Sequence, residues 1–524
     1  MKKSKFAIIG GGPGGIQLAY FLHQQNADYV VLERAKVPCS TFQVYPRHRT
    51  LISINKRFTG SNCPEFNMRH DWNSLLCHDD DFRFKNYDKN YFPHADNLLR
   101  YINDYVERYN INMQYSFDTA AIDKKDGLYC IRDTKGNEHY CEVLIVATGL
   151  SKPFIPQIEG IEHATNYADI SLDLEGFEDK RVLIIGKKNS AFETAEHLVS
   201  AAAMIHLVSP KSIQMAWKSH YVGDLRAINN TILDSYQLKS QNAVLDANIV
   251  SIKKEGEQYR VTFAYKHAED EVEDIVYDRI ICCTGFRFDN SIFNEGTMPE
   301  LTCMGKYPAL TPSFESTNNL NMYFSGTLTH SLDYRKATSG FIHGFRYNAK
   351  ALANILIEKH LGKKVPSIAV SSNSKTLTDL MLNRANRSGA LWQQPGFIAD
   401  AAVKIGNDYN YIKELPKDYF IEKFANPSDD IYILTLEYGA PILGDPFTVE
   451  RIHRENTVSA ESSQFLHPVV RRYVNGTLVA KHDVLEDLEA KWVESEHIEP
   501  MIEFFDAQKH TIDLETMTNE LEKA

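Results

Sequence analysis

The turn Gly10-Gly11-Gly12-Pro13-Gly14-Gly15 constrains the fold of this chain more tightly than any other stretch. Phe6-Ala7-Ile8-Ile9 before it is an apolar run suited to a buried strand. Ile16 to Gln25 after it is amphipathic, and a second apolar run, Tyr29-Val30-Val31-Leu32, ends at Glu33. Strand, Gly-rich turn, helix, strand and acid make a dinucleotide-binding unit. Gly10 permits the tight turn, Gly12 lets the backbone approach a pyrophosphate, and Gly15 lets the helix pack close to the strand. The helix start offers free N–H groups and a positive dipole end to the phosphates. Glu33 is placed to accept hydrogen bonds from a ribose diol.

A second unit of the same kind begins at Arg181. Val182 to Ile185 is its strand, Gly186-Lys187-Lys188-Asn189-Ser190-Ala191 its turn, Phe192 to Ala201 its helix and Met204 to Val208 its next strand. Lys188 stands where the fingerprint has its middle glycine. Ser209 and Lys211 follow that strand where an acid would hold a free 2′-hydroxyl, which favours NADPH over NADH. Between the units a helix is expected at Leu98–Tyr109 and strands at Met113–Ile122, Leu128–Asp133 and His139–Val146, the last ending in Ala147-Thr148-Gly149. The strand-to-Thr-Gly pattern recurs at Arg279–Gly285. Another strand ends at Gly326, and a helix runs to about Glu358 from the segment that contains Gly340, Phe341 and Ile342. Beyond Gly362 there is no further Gly-rich turn. A loop at Leu391–Phe397, a strand at Ile431–Tyr438, a hairpin about Asn475-Gly476 and helices at Val484–Ser495 and Ile498–Phe505 are expected there.

Length and charge narrow the function. A chain of 524 residues has room for roughly two or three domains. A net charge of −12 argues against nucleic acid or an anionic membrane surface as the main partner. No apolar run reaches the roughly 18 residues that a membrane span requires. The first strand begins close to Met1, which leaves no room for a signal peptide and points to the cytoplasm. The 8 cysteines are scattered without a CxxC, so neither a redox dithiol of that kind nor a zinc site is expected. Tyr45 to Arg57 is basic inside an acidic protein and reads either as a solvated face or as a cationic lining near an anionic ligand.

These motifs resemble the class B flavin monooxygenases. The resemblance rests on Gly10–Gly15, on Phe92-Pro93 before a helix, and on Ala147-Thr148-Gly149 followed by Pro153 and Pro156. It also rests on Gly186 to Glu196 with Asn189-Ser190-Ala191 inside. A nearer resemblance, through Tyr45–Phe58, Phe66–Leu76, His220–Ser240, Asp333–Tyr347 and Phe465–Val469, is to a vertebrate flavoprotein of the endoplasmic reticulum. Three positions depart from the monooxygenase pattern. Its FxGxxxHxxxY signature survives only as His163 to Tyr167, Lys188 replaces a glycine, and Thr327 follows Gly326 where many relatives have Asp.

The resemblance implies an α/β chain of two Rossmann-like domains plus a C-terminal α+β domain. An FAD-binding domain would span 1–170 and 280–360, an inserted NADPH-binding domain 171–279, and the C-terminal domain 361–524. It assigns Gly10, Gly12, Pro13, Gly14, Gly15, Glu33, Arg34, Ala147, Thr148 and Gly149 to FAD. Ala121 would touch the adenine, and Gly326, Gly340, Phe341 and Ile342 would lie at the isoalloxazine. Gly186, Asn189, Ser190, Ala191, Ser209 and Lys211 go to NADPH. Asn55 resembles the asparagine beside the flavin, with Lys56 and Arg47 in the same region. No metal is implied. The implied reaction passes one oxygen atom of O2, by way of a flavin C4a-(hydro)peroxide, to a small molecule. The outcome is N-hydroxylation or Baeyer–Villiger insertion, and cations at Arg47, Arg49, Lys56 and Arg57 would tilt it towards the carbonyl chemistry. The alternative is an NADPH-dependent flavoprotein reductase or electron donor for a protein or small acceptor. A flavoprotein that keeps FAD only for stability, and a homodimer, both stay open.

Overall fold

The computed structural model describes residues 2–237, 242–439, 445 and 448–521, so Leu238–Ser240 of the resembling segment His220–Ser240 lie outside it. The first sheet grows from β1 (Lys2–Ile9), which runs parallel to β2 (Tyr29–Leu32) on one side and β6 (Glu138–Val146) on the other. Ala7 pairs with Val30 and with Leu144 in the same register. Strands covered on both faces explain the unbroken apolar runs. Helix α1 (Pro13–Gln24) connects β1 to β2 and starts on proline, whose fixed φ suits a first helical turn. Helix α2 (Ala95–Arg108) covers the run expected at Leu98–Tyr109.

The run expected as one strand, Met113–Ile122, breaks in two. β3 (Met113–Gln114) pairs with β2, the chain turns at Ser116 with φ 57, and β4 (Thr119–Lys125) restarts antiparallel to β5 (Leu128–Asp133). The sheet order is β3-β2-β1-β6-β5-β4.

The chain then leaves this sheet. β7 (Arg181–Ile185), α3 (Asn189–Leu198) and β8 (Met204–Ser209) repeat the opening pattern. β9 (Ala243–Glu255), β10 (Gln258–Tyr265), β11 (Val272–Tyr277) and β12 (Arg279–Cys282) complete a second sheet, ordered β11-β10-β9-β8-β7-β12 and edged by Thr165–Asn166. β13 (Met322–Phe324) returns beside β6, parallel to it, and α4 (Ile342–Leu361) follows. The two fingerprints are built alike. A Cβ at Gly10 would lie 2.5 Å from the Ala147 carbonyl oxygen, and one at Gly186 would lie 2.4 Å from that of Cys283.

A third, antiparallel sheet holds β14 (Ile398–Ile405), β15 (Asp408–Pro416), β16 (Asp430–Glu437), β17 (His467–Val474) and β18 (Thr477–Asp483). The strand Ser367–Val370 pairs with β15 at its edge, helix α5 (Ser374–Arg387) follows that strand, and the expected β17–β18 hairpin turns on Asn475 and Gly476 with φ 52 and 74. A short helix, α6 (Gly389–Gln393), replaces part of the loop expected at Leu391–Phe397. The helix expected at Val484–Ser495 does not form. Asp487 accepts the amides of Glu489 and Lys491, and Trp492 is buried with its amide on Asn386. The last helix, α7, spans Ser495–Leu521.

Candidate active site

A cavity of about 570 Å³ opens where the first two sheets meet. Gly10, Gly12, Pro13, Gly14, Glu33 and Arg34 line one end, with Ala147, Thr148 and Gly149 beside them. Glu33 is fixed there: its carboxylate accepts the Gly11 amide at 2.7 Å, the Ala35 amide at 2.9 Å and the Ser40 hydroxyl at 3.2 Å. A Cβ on Gly12 would meet no protein atom within 4 Å, so this turn keeps open room beside the first amides of α1. Gly15 stands behind the lining. Ala121 corrects the sequence reading. It sits on β4 off the cavity, and Phe117 and Asp118 just before β4 and Thr119 at its start take that wall instead.

The far end is closed by Gly326 and Thr327 after β13 and by Gly340, Phe341 and Ile342 at the start of α4. The C-terminal part of the chain holds this turn. Gln394 accepts the Thr338 amide at 2.9 Å and donates to the Ser339 hydroxyl at 2.9 Å and the Asn348 side-chain oxygen Oδ1 at 2.7 Å. Asn348 donates onward to Thr329, whose hydroxyl donates to the Gly326 carbonyl. Gln394 and Asn348 are fully buried. Gln394→Leu is therefore expected to strand buried polar groups at about 1–3 kcal/mol. FAD retention during dilution should fall well before the C-terminal sheet unfolds. Unchanged retention and an unchanged flavin spectrum would refute it.

The three residues proposed from sequence for chemistry do not meet the cavity. Asn55 is buried, but its amide donates to the Asp88 and Asn90 carbonyls at 2.8 and 3.2 Å. Lys56 faces solvent. Arg47 donates to the Ile170 carbonyl, Arg49 to the Phe42 carbonyl and to Asp96, and Arg57 lies over Phe58. Each cation of the basic run that has a bonded partner is spent on the protein itself. The cationic lining that favoured carbonyl chemistry is absent from the walls of this cavity.

Other side chains take that place. His343, in the first turn of α4, stacks on Trp72 with ring centroids 4.4 Å apart, and Arg226 lies over the same Trp72 ring. The His343 ring is buried and neither nitrogen has a partner. Burial, Arg346 and Arg226 hold its pKa well below the ordinary value, so the imidazole is neutral. From the second unit, Asn189, Glu193, Arg226 and Asn229 reach the same cavity. Asn189 is the hub of its loop: it donates to the Asp224 carbonyl and accepts from the Arg226 amide and the Asn229 side chain. Gly186, Ser190 and Ala191 lie behind it, and Ser209 and Lys211 stand at the outer end of β8. Trp72, Arg226 and His343 all fall in segments that carried the family resemblance. Their meeting required the tertiary fold.

Glu193 accepts from the Tyr167 hydroxyl at 3.0 Å and the His48 amide at 3.2 Å. Burial nevertheless pushes its pKa up from 4.5 to about 7, against those two hydrogen bonds. The folded state thus holds this proton more tightly than the unfolded chain. Its stability contribution is greatest below pH 4.5 and declines as pH rises towards 7. Glu193→Gln is expected to flatten that decline and to raise the unfolding free energy at pH 8 by about 2–3 kcal/mol. Unfolding curves of both proteins at pH 5 and 8 check the sign.

Comparison with known proteins identifies the family. The model for pyridine nucleotide-disulphide oxidoreductases matches residues 7–326. The chain belongs to the pyridine nucleotide-disulphide oxidoreductase family. It is 37% identical over 508 residues to the FAD-dependent oxidoreductase domain-containing protein 2 of Mus musculus, covering 89% of this chain and 76% of that protein. It is 26% identical over 221 residues to the probable indole-3-pyruvate monooxygenase YUCCA8 of Arabidopsis thaliana, covering 40% and 47%. In structure it resembles the bacillithiol disulfide reductase of Staphylococcus aureus, with a TM-score of 0.53 at 19% identity over 69% of this chain and all of that one. The likeness to flavin monooxygenases therefore stands within a wider oxidoreductase family, and its cofactors are FAD and NADPH.

The names of its relatives include both a disulfide reductase and a monooxygenase. Here Cys39 is the cysteine on the cavity wall, and burial together with Glu33 drives its thiol far up from the ordinary pKa. Cys282 and Cys283 are buried and their thiols are raised too, Cys283 to about 12. Among the described residues no disulfide forms, no His, Cys, Asp and Glu cluster fits a metal, and no helix is long and apolar enough to cross a membrane.

Proposed function

We propose that the chain is an FAD-dependent, NADPH-consuming monooxygenase for a small molecule. One observation carries the reading: residues beside both fingerprints, Gly10, Gly12, Pro13 and Gly14 from the first unit and Asn189 and Glu193 from the second, line one continuous cavity. That cavity has no paired thiol to relay electrons. Bound FAD would supply two-electron exchange with the nicotinamide and reaction with O2. The residues of the chain bind and orient. Gly10–Gly14 and Glu33 would hold the adenosine pyrophosphate half, and the amides opening α4 would face the electron-rich edge of the flavin ring. The stacked Trp72 and His343 rings exclude water from that end. His343 offers an unpartnered N–H, and Glu193 can hold or release a proton near neutrality.

This wall contains a neutral imidazole, a carboxyl poised near pH 7 and one guanidinium already spread over Trp72, so it suits oxygen transfer to nitrogen or sulfur better than carbonyl insertion. The test is to follow NADPH oxidation by the FAD-loaded protein in air and to measure hydrogen peroxide across a panel of amines, sulfides and ketones. Falling peroxide yield with an oxygenated product identifies the substrate class. One-to-one peroxide release throughout, with fast reduction of a disulfide or quinone, would replace this reading by a reductase.

A further inference from the structure

The second fingerprint carries a lysine where a glycine belongs, and the structure shows where that lysine goes. Lys188 caps α3 without a side-chain bond to the helix, and its ammonium leaves the turn to reach Asp224 at 3.2 Å. Asp224 is wholly buried and also accepts Arg335, at 3.1 and 3.3 Å, and Ser219. Both cations sit near the Tyr221 ring, at 5.8 and 5.7 Å. Tyr221 stacks on His330, and His330 meets Tyr307 edge-on at 5.7 Å. Lys306 lies over Tyr307, and the Lys306 carbonyl accepts the amide of Phe288, next to Arg287.

Lys188 at the start of α3 and Arg335 thus share one carboxylate, and Lys306 and Arg287, from the chain beyond the second sheet, lie close enough for these like charges to act on Lys306. Neither Lys306 nor the Arg287 guanidinium has a carboxylate partner among the described residues; the guanidinium lies over the Phe154 ring at 4.2 Å, and its Nε is buried with no acceptor. Solvated surface cations need no partner, but a buried guanidinium N–H without one costs about 1–3 kcal/mol. We propose that Lys188, Arg287, Lys306 and Arg335 form a cradle for the pyrophosphate of the nicotinamide dinucleotide, contributed by both units and replacing the backbone approach that the lost glycine would have allowed. This rests on the NADPH reading above. The first amides of α3, which have no intrahelical acceptor, close the cradle from one side. Burial, Lys188, Arg335 and Arg287 together press the Lys306 ammonium down to about 8, a penalty that a bound polyanion relieves.

The experiment is NADP+ binding to the FAD-loaded protein by calorimetry, without turnover. Arg287→Ala, Lys306→Ala and Arg335→Ala should each weaken binding about tenfold and reduce its salt dependence, with FAD content unchanged. Arg335→Lys should retain most of the affinity, and inorganic pyrophosphate should compete with NADP+. Equal affinity in the wild type and the three alanine variants overturns the cradle and leaves the nucleotide reading intact. So does tighter binding by Lys188→Gly, which would make the lysine an obstruction. A wild-type protein that binds neither NADP+ nor NADPH overturns both.

Discussion

Gly15→Ala is expected to yield a chain that neither retains FAD nor folds with native stability, whereas Gly12→Ala folds and loses only the cofactor. The difference lies in what each new methyl meets. At Gly15 a Cβ would stand 2.1 Å from the carbonyl oxygen of Gly10 and 3.3 Å from the Ala147 Cβ. Both obstacles belong to the fold itself, and the nearer one is backbone, which no rotamer change can clear. Helix α1 must then lift from β1, at a cost above the roughly 1–3 kcal/mol of ordinary overpacking. Gly14 is similar, with the Gly326 Cα 2.3 Å from its Cβ. Gly12 meets nothing within 4 Å, so its methyl enters only the space that a pyrophosphate would use. The ratio of flavin to protein absorbance, read beside the unfolding midpoint of cofactor-stripped protein, separates the two. A Gly12→Ala protein that keeps full FAD content would show that the phosphates do not pass over this turn.

The first unit was legible because its demands are local. A strand, a turn that tolerates no side chain, a helix and an acid lie in one stretch, and each leaves a residue type that few other structures require. The second unit was legible for the same reason, down to the anomaly at Lys188, but the destination of that side chain was not: Asp224 and Arg335 approach it from distant segments. Asn55, Lys56 and Arg47 show the converse. A basic run near a proposed cofactor resembles a lining, yet backbone carbonyls at Asp88, Asn90 and Ile170 claim two of the three side chains and solvent claims the other. Sequence shows charge without showing what has already been neutralised. Trp72, His343 and Gln394 were missed because each acts through a partner remote in the chain. Gln394 in particular lay in a region with no readable motif.

That region is tied to the rest by Arg384, and Arg384→Met carries the other large expected effect. The guanidinium is 5% exposed and donates to Asp400 at 2.6 Å, to Glu414 at 2.9 Å, and to Glu65 of the distant segment Pro64–Asn67. Lys350 of α4 reaches the same Glu414 at 2.7 Å. Burial alone would push Glu414 up, but Lys350 and Arg384 outweigh it and hold it at about 2. Removing the arginine leaves the buried Asp400 without its cation, a change that typically costs about 3–5 kcal/mol. The sign of the pH dependence follows. In the wild type the depressed Glu414 pKa adds stability above the ordinary value of 4.5, and that stability is lost as pH falls towards 2. The variant has already lost much of it, so the gap between the two proteins should be wide at pH 7 and should narrow as pH falls from 4.5 to about 2. Because Glu65 lies beside the segment that Arg69 and Gln393 pin to α6, early flavin release should accompany the loss. Urea unfolding at pH 7 and across that acid range, with flavin fluorescence as a second probe, decides the matter. A gap that does not narrow on acidification would mean that the cluster is not held by ionised carboxylates.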